Sequence, residues 1–413
     1  MTPRSLLTRN TLLPVAGAVV LLLGFADLVR GGVTLAPILL VVGYLVLVPL
    51  SLRFGGRQDA PSPRVKRQPR AADRRLTSNQ RGLLLASPVL LVAFVPLVAN
   101  WHPAERRGDY TTIAFAHDLL DSVEPYSVLV TYGDNDTFPL WYAQEVEGVR
   151  KDVTVAVLSL LNTDWYVRGI IRRPIYSYDV PKGPSIYRGR SWPKPIGSPI
   201  HMTVAQADSI PDYVLLRQPM LLRKAGITAM VTPQNLPQTG DGSGILERKD
   251  IAVLRMVADS WPQRPIYFSR TTGNYAQSLG LDRFLLSQGL AGKLFLPPAT
   301  ASRDTVHLRG AGWFDLPRSK ALFIDVFQGP SAIEKKGDWV DRPSVGIPLT
   351  YIFAAEELAA VLRSQGQSAS AAAVLDTGSR IAHAVHEEST YTAIHNAWQS
   401  VTPSKAAMTG PNP

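Results

Sequence analysis

The sequence predicts an α/β fold, a Rossmann-like and mainly parallel sheet domain that is preceded by three transmembrane helices and followed by a short helical segment. Three observations lead to this prediction. Apolar runs with almost no charge occupy residues 11–29, 33–52 and 82–99, a strand, helix and strand pattern fills residues 126–158, and an alanine-rich helical pattern fills residues 346–400. A chain of 413 residues with 46% hydrophobic content is long enough to hold these parts as separate domains.

Residues 1–99 are predicted to form a membrane anchor. Each apolar run has 18 to 20 residues, so each can cross about 30 Å of hydrocarbon as a helix. Arg4 and Arg9 before the first run are also typical of a signal peptide, but the second run follows within a few residues and no cleavage site is obvious. A retained anchor is therefore favoured. Asp27 lies two residues from the end of the first run, where its carboxylate can reach the membrane interface.

Residues 53–81, between the second and third runs, hold most of the positive charge. They carry a net +7 of the chain's +10. The positive-inside rule places this loop and the N-terminus in the cytoplasm, and the domain after residue 99 outside the inner membrane, in the periplasm. The loop has one aromatic residue, Phe54, and three prolines, which disfavours nucleic-acid binding and favours an extended linker. Contact with anionic lipid explains the charge, so the predicted partner is the lipid bilayer.

Residues 100–345 are predicted to form the α/β domain. The predicted helices lie at 110–120, 138–147 and 250–260, and the predicted strands lie at 127–132, 153–158 and 265–269. Residues 173–200 are rich in proline, which predicts an ordered but irregular surface loop. Residues 346–400 predict a helical segment that resembles one tetratricopeptide-like unit, and residues 401–413 have the composition of a disordered tail.

Polar side chains follow the first two predicted strands at the points where those strands end. In a parallel sheet the carboxyl ends of neighbouring strands lie at one edge, about 5 Å apart, and ligands bind outside that edge. Aromatic side chains flank both polar clusters and offer flat apolar faces. The predicted ligand-binding residues are Asp134, Asn135, Asp136, Thr137, Trp141, Tyr142, Asn162, Thr163, Asp164 and Trp165.

The pair Asp134 and Asp136 permits four interpretations. Both carboxylates, with Asp164 from the next strand end, could ligate a divalent cation that holds a sugar diphosphate. Asp134 could instead be a phosphoryl-accepting nucleophile, although no lysine can be placed beside it. The polar side chains could bind sugar hydroxyls directly, without a metal, beside the flanking aromatic faces. Finally, Asp136 or Thr137 could cap the following helix while Asp134 shapes the turn.

Composition excludes several other kinds of site. The chain has no cysteine, which excludes disulfide bonds, thiolate nucleophiles and cysteine metal ligands. His383 and His386 share a helix face with Glu387 and Glu388 nearby, a pattern more typical of a solvated helix surface than of a metal site. No cofactor is therefore predicted, apart from the divalent cation that the acidic pair could ligate.

Three long motifs occur in one order along the chain. They are GDNDTFPLWYAQEVEGVR at 133–150, LSLLNTDWY at 158–166, and RPIYFS at 264–269 with LGLDRFLLSQGLAGKL at 279–294. Over roughly residues 80–300 the chain resembles the bacterial domain-of-unknown-function 2723 family, multi-pass membrane proteins similar to protein O-mannosyltransferases of the GT-C type. That family usually begins with many more membrane spans, which hold its presumed glycosyl-transfer site, and most of that region has no counterpart here.

The resemblance implies a part of a GT-C-like glycosyltransferase system that uses lipid-linked sugars. Asp27 is the only candidate for the catalytic acid that such an enzyme needs near its first outside loop. The first expectation is therefore an accessory or acceptor- or sugar-binding portion beside a separate multi-span catalytic chain, with a saccharide or a polypeptide acceptor as partner. The alternatives are a self-contained glycosyltransferase of the protein O-glycosylation type with a lipid-linked sugar donor, and a non-enzymatic structural envelope protein.

Overall fold

The computed structural model describes residues 9–30, 35–50, 95–339 and 341–401. The chain divides into two compact units, Met1–Arg107 and Gly108–Pro413. The anchor was predicted to end at residue 99, a few residues before this division. The basic loop 53–81, most of the third apolar run and the predicted tail after residue 401 lie outside the described residues.

The N-terminal unit contains two apolar helices that pack against each other. Helix α1 spans Arg9–Val29, and helix α2 spans Leu35–Val41 before it continues as a π-helical stretch. The pair packs closely at Gly43, where a Cβ atom would lie 2.4 Å from the side chain of Leu21. A short third helix, α3, lies at Trp101–Ala104.

Apolar side chains also cover the outer surface of this helix pair. Leu23 is 56% exposed and Leu45 is 71% exposed. Helices that are apolar on all sides occur in the core of a large protein or in a membrane, and these side chains are exposed in the described part of the chain. They are therefore the part of the described chain that is suited to contact with a membrane.

The prediction of three membrane spans is not reproduced. Among the described residues one helix, Arg342–Ser364, is long and apolar enough to cross a membrane, and it belongs to the α/β unit. It is 78% buried inside the protein, so it is a core helix. The first two predicted spans correspond to the shorter apolar helices Val15–Val29 and Leu35–Leu50, and only residues 95–99 of the third are described.

The α/β unit contains eleven strands and twelve α-helices among its described residues. The strands are β1 (Val128–Thr131), β2 (Thr154–Val157), β3 (Tyr213–Leu216), β4 (Met220–Lys224), β5 (Ile227–Val231), β6 (Gly244–Glu247), β7 (Ile266–Ser269), β8 (Leu285–Gln288), β9 (Ala291–Leu294), β10 (Thr305–Leu308) and β11 (Gly312–Asp315). The helices are α4 (Thr111–Asp121), α5 (Asp134–Trp141), α6 (Leu158–Leu161), α7 (Asp164–Arg172), α8 (Val204–Asp208), α9 (Arg248–Ser260), α10 (Tyr275–Ser278), α11 (Leu316–Ala321), α12 (Gly329–Lys336), α13 (Gly346–Ser364), α14 (Ser368–Ala384) and α15 (Glu388–Gln399).

Seven of the strands form one mixed sheet in the order β10-β11-β8-β9-β7-β1-β2. Strands β7, β1 and β2 are parallel neighbours, and Val128 of β1 lies opposite both Thr154 and Ile266. This arrangement confirms the three predicted strands and their parallel direction. The prediction of a mainly parallel sheet holds for this part, whereas β9 runs antiparallel to both β7 and β8, and β10 runs antiparallel to β11. The hairpins β8–β9 and β10–β11 extend the sheet. Their strands are short and have weak hydrophobic alternation, but tight turns allow such strands to pair.

Asp118 on α4 joins two helices of the C-terminal part to the rest of the unit. Its Oδ1 accepts a hydrogen bond from the backbone N–H of Gln328 at 2.9 Å, and its Oδ2 accepts from Gly329 N–H and the Tyr351 hydroxyl, both at 2.7 Å. A Cβ atom on Gly329 would lie 2.0 Å from the Tyr351 hydroxyl, so this close approach requires glycine. Burial raises the pKa of Asp118 to about 7. The predicted helical segment is therefore packed onto the α/β core.

Arg150 holds the amino ends of β1 and β2. Its side chain is buried and pairs with the buried Asp152, with Nε to Oδ1 at 3.1 Å and Nη2 to Oδ2 at 3.2 Å. Its Nη1 also donates to the carbonyl oxygens of Leu120 and Val123 at 2.6 and 3.1 Å, at the end of α4. A cation placed there gives the carbonyls at the helix end a charged donor and lies at the negative end of the helix dipole.

The proline-rich segment 173–200 packs over Arg150. The guanidinium carbon lies 5.2 Å from the ring centre of Tyr178 and 5.6 Å from that of Tyr187. These two rings form a small buried cluster with Tyr126, whose backbone N–H donates to Asp152 at 2.9 Å. The segment has one short 3-10 turn as its regular structure and is ordered by these contacts, as predicted.

Candidate functional site

The carboxyl ends of β7, β1 and β2 lie side by side at one edge of the sheet. Strand β1 leads into α5, β2 leads into α6 and α7, and β7 leads into a 3-10 turn at Arg270–Thr272. The chain passes from β1 to β2 on one side and returns to β7 on the other side of β1. The connections therefore diverge between β1 and β7, and such a switch point is where open α/β sheets bind ligands.

Helix α5 begins at Asp134, four residues before the predicted start at residue 138. Gly133, with φ of 82°, turns the chain from the strand into the helix in a conformation that glycine adopts readily. Asp134 and Asp136 then lie in the first helical turn. Carboxylates are favoured there by the positive end of the helix dipole. The predicted acidic pair is thus part of the helix and not of a loop before it.

Asp136 is fully buried and connects the loops after β1 and β7. Its Oδ2 accepts hydrogen bonds from the backbone N–H of Tyr132 at 3.0 Å and from the hydroxyl of Thr271. Its Oδ1 has no hydrogen-bond partner in the described part of the chain. Burial raises the pKa of this carboxyl to about 6. Thr137 beside it is also buried and donates to the carbonyl of Gly133 at 2.6 Å, so both residues stabilise the turn.

Asp134 and Asn135 differ from Asp136 because both are exposed. The Asn135 amide donates to the backbone carbonyl of Pro343 at 3.3 Å. Asp134 makes no side-chain hydrogen bond or ion pair within the described residues. It is therefore the acid of this cluster whose carboxylate is free to receive a ligand.

The polar side chains of the second predicted cluster are bonded to other groups of the protein. Asn162 accepts a hydrogen bond from the backbone N–H of Lys249 at 2.9 Å, in the first turn of α9. Thr163 donates to a backbone carbonyl of α6 at 2.6 Å. Asp164 forms an ion pair with Arg168 one turn further along α7. These three side chains hold the connection after β2 in place.

Four aromatic rings join the two motifs in a continuous row, which we call the aromatic strip. The ring centres of Phe138 and Trp141 are 6.2 Å apart, those of Trp141 and Tyr166 are 6.4 Å apart, and those of Tyr166 and Trp165 are 5.5 Å apart. Phe138 is 60% exposed and Trp165 is 54% exposed. The structure therefore brings the predicted Trp141 and Trp165 together through Tyr166. Tyr142, also predicted, is 50% exposed.

Tyr166 has a second role at the free edge of β2. Its hydroxyl donates to the carbonyl of Val155 at 2.9 Å and accepts from the N–H of Val157 at 3.3 Å. Covering an edge strand in this way prevents it from pairing with another chain. The strip is consequently fixed to the sheet at its middle while its ends remain exposed.

A cavity of about 610 Å³ lies beside the carboxyl end of β7, and sequence analysis missed it. Its polar lining includes Arg270, Asn274, Gln277, Asp282 and Glu357, contributed by the turn after β7, by α10, by the segment before β8 and by α13. None of the ten predicted ligand-binding residues lines it. The available signal was the motif at 279–294, which contains Asp282, and the motif at 264–269, which ends one residue before Arg270.

The chemistry at this edge is that of a hydrogen-bonding and aromatic surface. In the described part of the chain no group of three or more His, Asp or Glu side chains could hold a metal ion. A cation on the predicted acids would need Asp136 and Asp164, which are bonded to Thr271 and Arg168. The exposed carboxylate of Asp134 and the faces of the aromatic strip remain available for a ligand.

The raised pKa of Asp136 predicts a pH-dependent contribution to stability. Between its ordinary value of 3.8 and about 6, the folded protein holds a proton on this group that the unfolded chain has lost. The contribution is complete at low pH and is lost as the pH rises through about 6. The thermal midpoint of the unmodified protein should therefore fall, relative to that of an Asp136→Asn variant, between about pH 4 and pH 7. Parallel midpoint curves for the two proteins would contradict this.

Comparison with known proteins gives one match. The sequence model of a family described as TMEM260-associated domain 2 matches residues 112–186. This stretch runs from α4 through α7 and into the segment that covers Arg150, so it contains the first two motifs and the aromatic strip. No curated protein and no solved structure matches the chain. The matched stretch is well under half of the chain. The similarity to that domain therefore concerns residues 112–186 and not the chain as a whole.

Proposed function

We propose that this chain is a membrane-anchored accessory part of a GT-C-like glycosyltransferase system. Its α/β unit lies outside the inner membrane and binds a saccharide or a polypeptide acceptor through the aromatic strip and Asp134. A separate multi-span chain carries the transfer reaction. The self-contained glycosyltransferase and the structural envelope protein are the competing functions that the experiments below separate from this one.

The observation that carries the proposal is the free carboxylate of Asp134 at the edge that also bears the aromatic strip. Asp134 has no partner among the described residues, whereas the other predicted amide, carboxyl and hydroxyl side chains at the two strand ends are bonded within the protein. They are Asn135, Asp136, Thr137, Asn162, Thr163 and Asp164. Phe138 and Trp165, which lie at the two ends of the strip, expose more than half of their surface. Exposed apolar patches beside polar groups mark interaction sites on soluble domains. Sugar rings suit such a surface because they present hydroxyls to carboxylates and C–H groups to aromatic faces.

Removing this surface should abolish binding without unfolding the protein. Asp134→Asn and Trp165→Ala are each expected to weaken binding of fluorescent serine- and threonine-rich peptides or oligosaccharides at least tenfold, about 1.4 kcal/mol. For Asp134→Asn the thermal midpoint should stay almost unchanged, because surface substitutions away from packed contacts alter stability by at most about 0.5 kcal/mol. Trp165→Ala also removes the ring contact with Tyr166, which should cost about 1 kcal/mol. Fluorescence anisotropy and thermal unfolding of the full chain in nanodiscs measure both quantities.

The matched control is Asp304→Asn, which changes an exposed aspartate on the segment before β10. It should affect neither binding nor the midpoint. Unchanged binding in the Asp134 and Trp165 variants would refute the proposal and favour the structural envelope protein. Transfer of sugar from a lipid-linked donor to a peptide by the purified chain alone would establish the self-contained enzyme instead.

The proposed orientation makes a separate prediction. An alkaline phosphatase fused after residue 110 should be active, because the fusion point lies outside the membrane, and one fused within residues 53–81 should be inactive. The physical reason is the net charge of +7 on that loop, which favours retention in the cytoplasm. The reverse pattern of activities would place the α/β unit in the cytoplasm, where lipid-linked donors of the outer face are absent.

A further inference from the structure

We infer that the cavity beside β7 is a second binding site, and that its ligand is a neutral saccharide ring. Its volume of about 610 Å³ lies within the range of small-molecule sites, about 300–1,000 Å³. Neither Asp134 nor any ring of the aromatic strip lines it. The inference goes beyond the proposed function, since it concerns different residues and survives if the strip binds nothing.

The floor of the cavity is a charged pair that is fixed in position. The Arg270 guanidinium donates to the carboxylate of Glu357, which is 3% exposed, and its Nε donates to the carbonyl of Gly289 at 2.8 Å. Arg270 follows β7, whereas Glu357 lies in the middle of α13. The pair therefore connects the sheet to the helical segment and leaves part of each group's hydrogen-bonding capacity for a ligand.

Three further polar side chains line the cavity without partners in the protein. Asn274, Gln277 and Asp282 are exposed, and none of them makes a side-chain hydrogen bond with the described residues. Two amides and one carboxylate supply both donors and acceptors. A sugar hydroxyl can donate to the carboxylate and accept from an amide at the same time, so this set of groups matches a polyhydroxylated ring.

Aromatic side chains form walls of the same cavity. Trp313 comes from β11, Phe353 from α13 and Trp398 from α15. Trp313 is held by the rings of His307 and Phe295, at centre distances of 4.8 and 6.0 Å. A wall residue that is already fixed loses little conformational freedom when a ligand packs against it. Flat apolar walls between planar polar groups are suited to the C–H faces of a sugar.

The charges of the lining argue against other ligands. Two carboxylates, Asp282 and Glu357, face one guanidinium, and no lysine lines the cavity. A phosphate or nucleoside diphosphate needs cations or converging backbone N–H groups, so this net negative lining repels it. A cationic ligand would gain only the single exposed carboxylate of Asp282, since Glu357 is already paired with Arg270. The charges of the lining therefore favour an uncharged ligand, such as a neutral sugar ring.

The test is a binding measurement on the full chain in nanodiscs. Saturation-transfer NMR would be recorded with the methyl glycosides of glucose, mannose, galactose and N-acetylglucosamine, and with pyrophosphate and tetramethylammonium as charged probes. We expect at least one neutral glycoside to bind and both charged probes to fail. Asp282→Asn and Trp398→Ala should each lower the affinity for that glycoside at least tenfold. Asp304→Asn, at an exposed position outside both sites, should leave its affinity unchanged.

Two outcomes would overturn the inference, and a third would overturn the proposed function instead. Failure of all four glycosides, or binding of pyrophosphate or tetramethylammonium that depends on Asp282, would give the cavity no saccharide role. Glycoside binding that Trp165→Ala removes and Asp282→Asn leaves intact would assign the sugar to the aromatic strip. Because Asp282 is exposed and unpartnered, its variant tests the cavity even if Trp398→Ala lowers stability. If a glycoside binds in the cavity but Asp134→Asn does not weaken acceptor binding, the inference stands and only the proposed function is refuted.

Discussion

Replacing Arg150 with methionine is expected to lower the free energy of unfolding by about 3–5 kcal/mol. The change leaves the buried carboxylate of Asp152 without its partner and removes the donor to two carbonyl groups at the end of α4. It also leaves Tyr178 and Tyr187 without the cation that their rings cover. Stabilities of single domains are about 5–15 kcal/mol, so a large part of the total is lost. The thermal midpoint should fall by roughly 10 °C.

Arg172→Met is the matched control, because Arg172 is exposed on α7 and makes no side-chain hydrogen bond with the described residues. Its effect should stay within about 0.5 kcal/mol. The double variant with Asp152→Asn should lose less than the sum of the two single changes, since each removes the same ion pair. An Arg150→Met protein as stable as the control would show that the pair and its helix-end contacts contribute nothing.

Replacing Asp118 with alanine should lower stability by a similar amount, about 3–5 kcal/mol, because two buried donors and one partly buried donor lose their acceptor. Two of the donors are the backbone N–H groups of Gln328 and Gly329, and the third is the Tyr351 hydroxyl. The loss should be localised, because these groups lie at the start of α12 and in α13. Hydrogen exchange at Gln328 and Gly329 should therefore accelerate by more than exchange in β1.

Tyr351→Phe is the graded control for this prediction, since it removes one of the three bonds and should lower stability by about 1 kcal/mol. Asp304→Ala, at an exposed position, should have no measurable effect. Equal exchange rates at Gln328 in Asp118→Ala and in the unmodified protein would mean that water or another acceptor replaces the carboxylate, and the proposed connection between α4 and α12 would be wrong.

The centre of the fold could be predicted from sequence because its signals are local. The three parallel strands are runs of β-branched and aromatic residues, and β1, β2 and β7 lie where those runs are. The start of α5 was placed too late, since the turn at Gly133 and the acids after it indicate a loop as readily as a helix. Strands β8 to β11 were missed because stretches such as AGKL at 291–294 have no strong alternation, and their pairing depends on partners elsewhere in the chain.

The candidate sites could likewise be predicted from sequence only where their residues lie close together along the chain. Asp134 and Trp165 were found because each lies in a motif next to a strand end. The cavity joins Arg270, Asp282, Glu357 and Trp398, which are up to 128 positions apart, from 270 to 398, and meet only when α13 and α15 pack against the sheet. Besides the motifs at 264–269 and 279–294, the sequence contains one further signal. Glu356 and Glu357 interrupt an otherwise apolar run, and buried acids of this kind need specific partners.

Those two glutamates also matter before the protein has folded. During synthesis at a membrane, the segment Arg342–Ser364 would present itself as an apolar stretch long enough to be inserted into the bilayer. Ionised side chains near the centre of such a stretch disfavour insertion by about 2.5–3.5 kcal/mol each. After folding, one carboxylate oxygen of Glu356 bonds to His395 at 2.9 Å, and Glu357 bonds to Arg270, so each side chain has a partner in the protein. The same two residues would thus disfavour membrane insertion of the nascent helix, and after folding they connect it to its neighbours in the core.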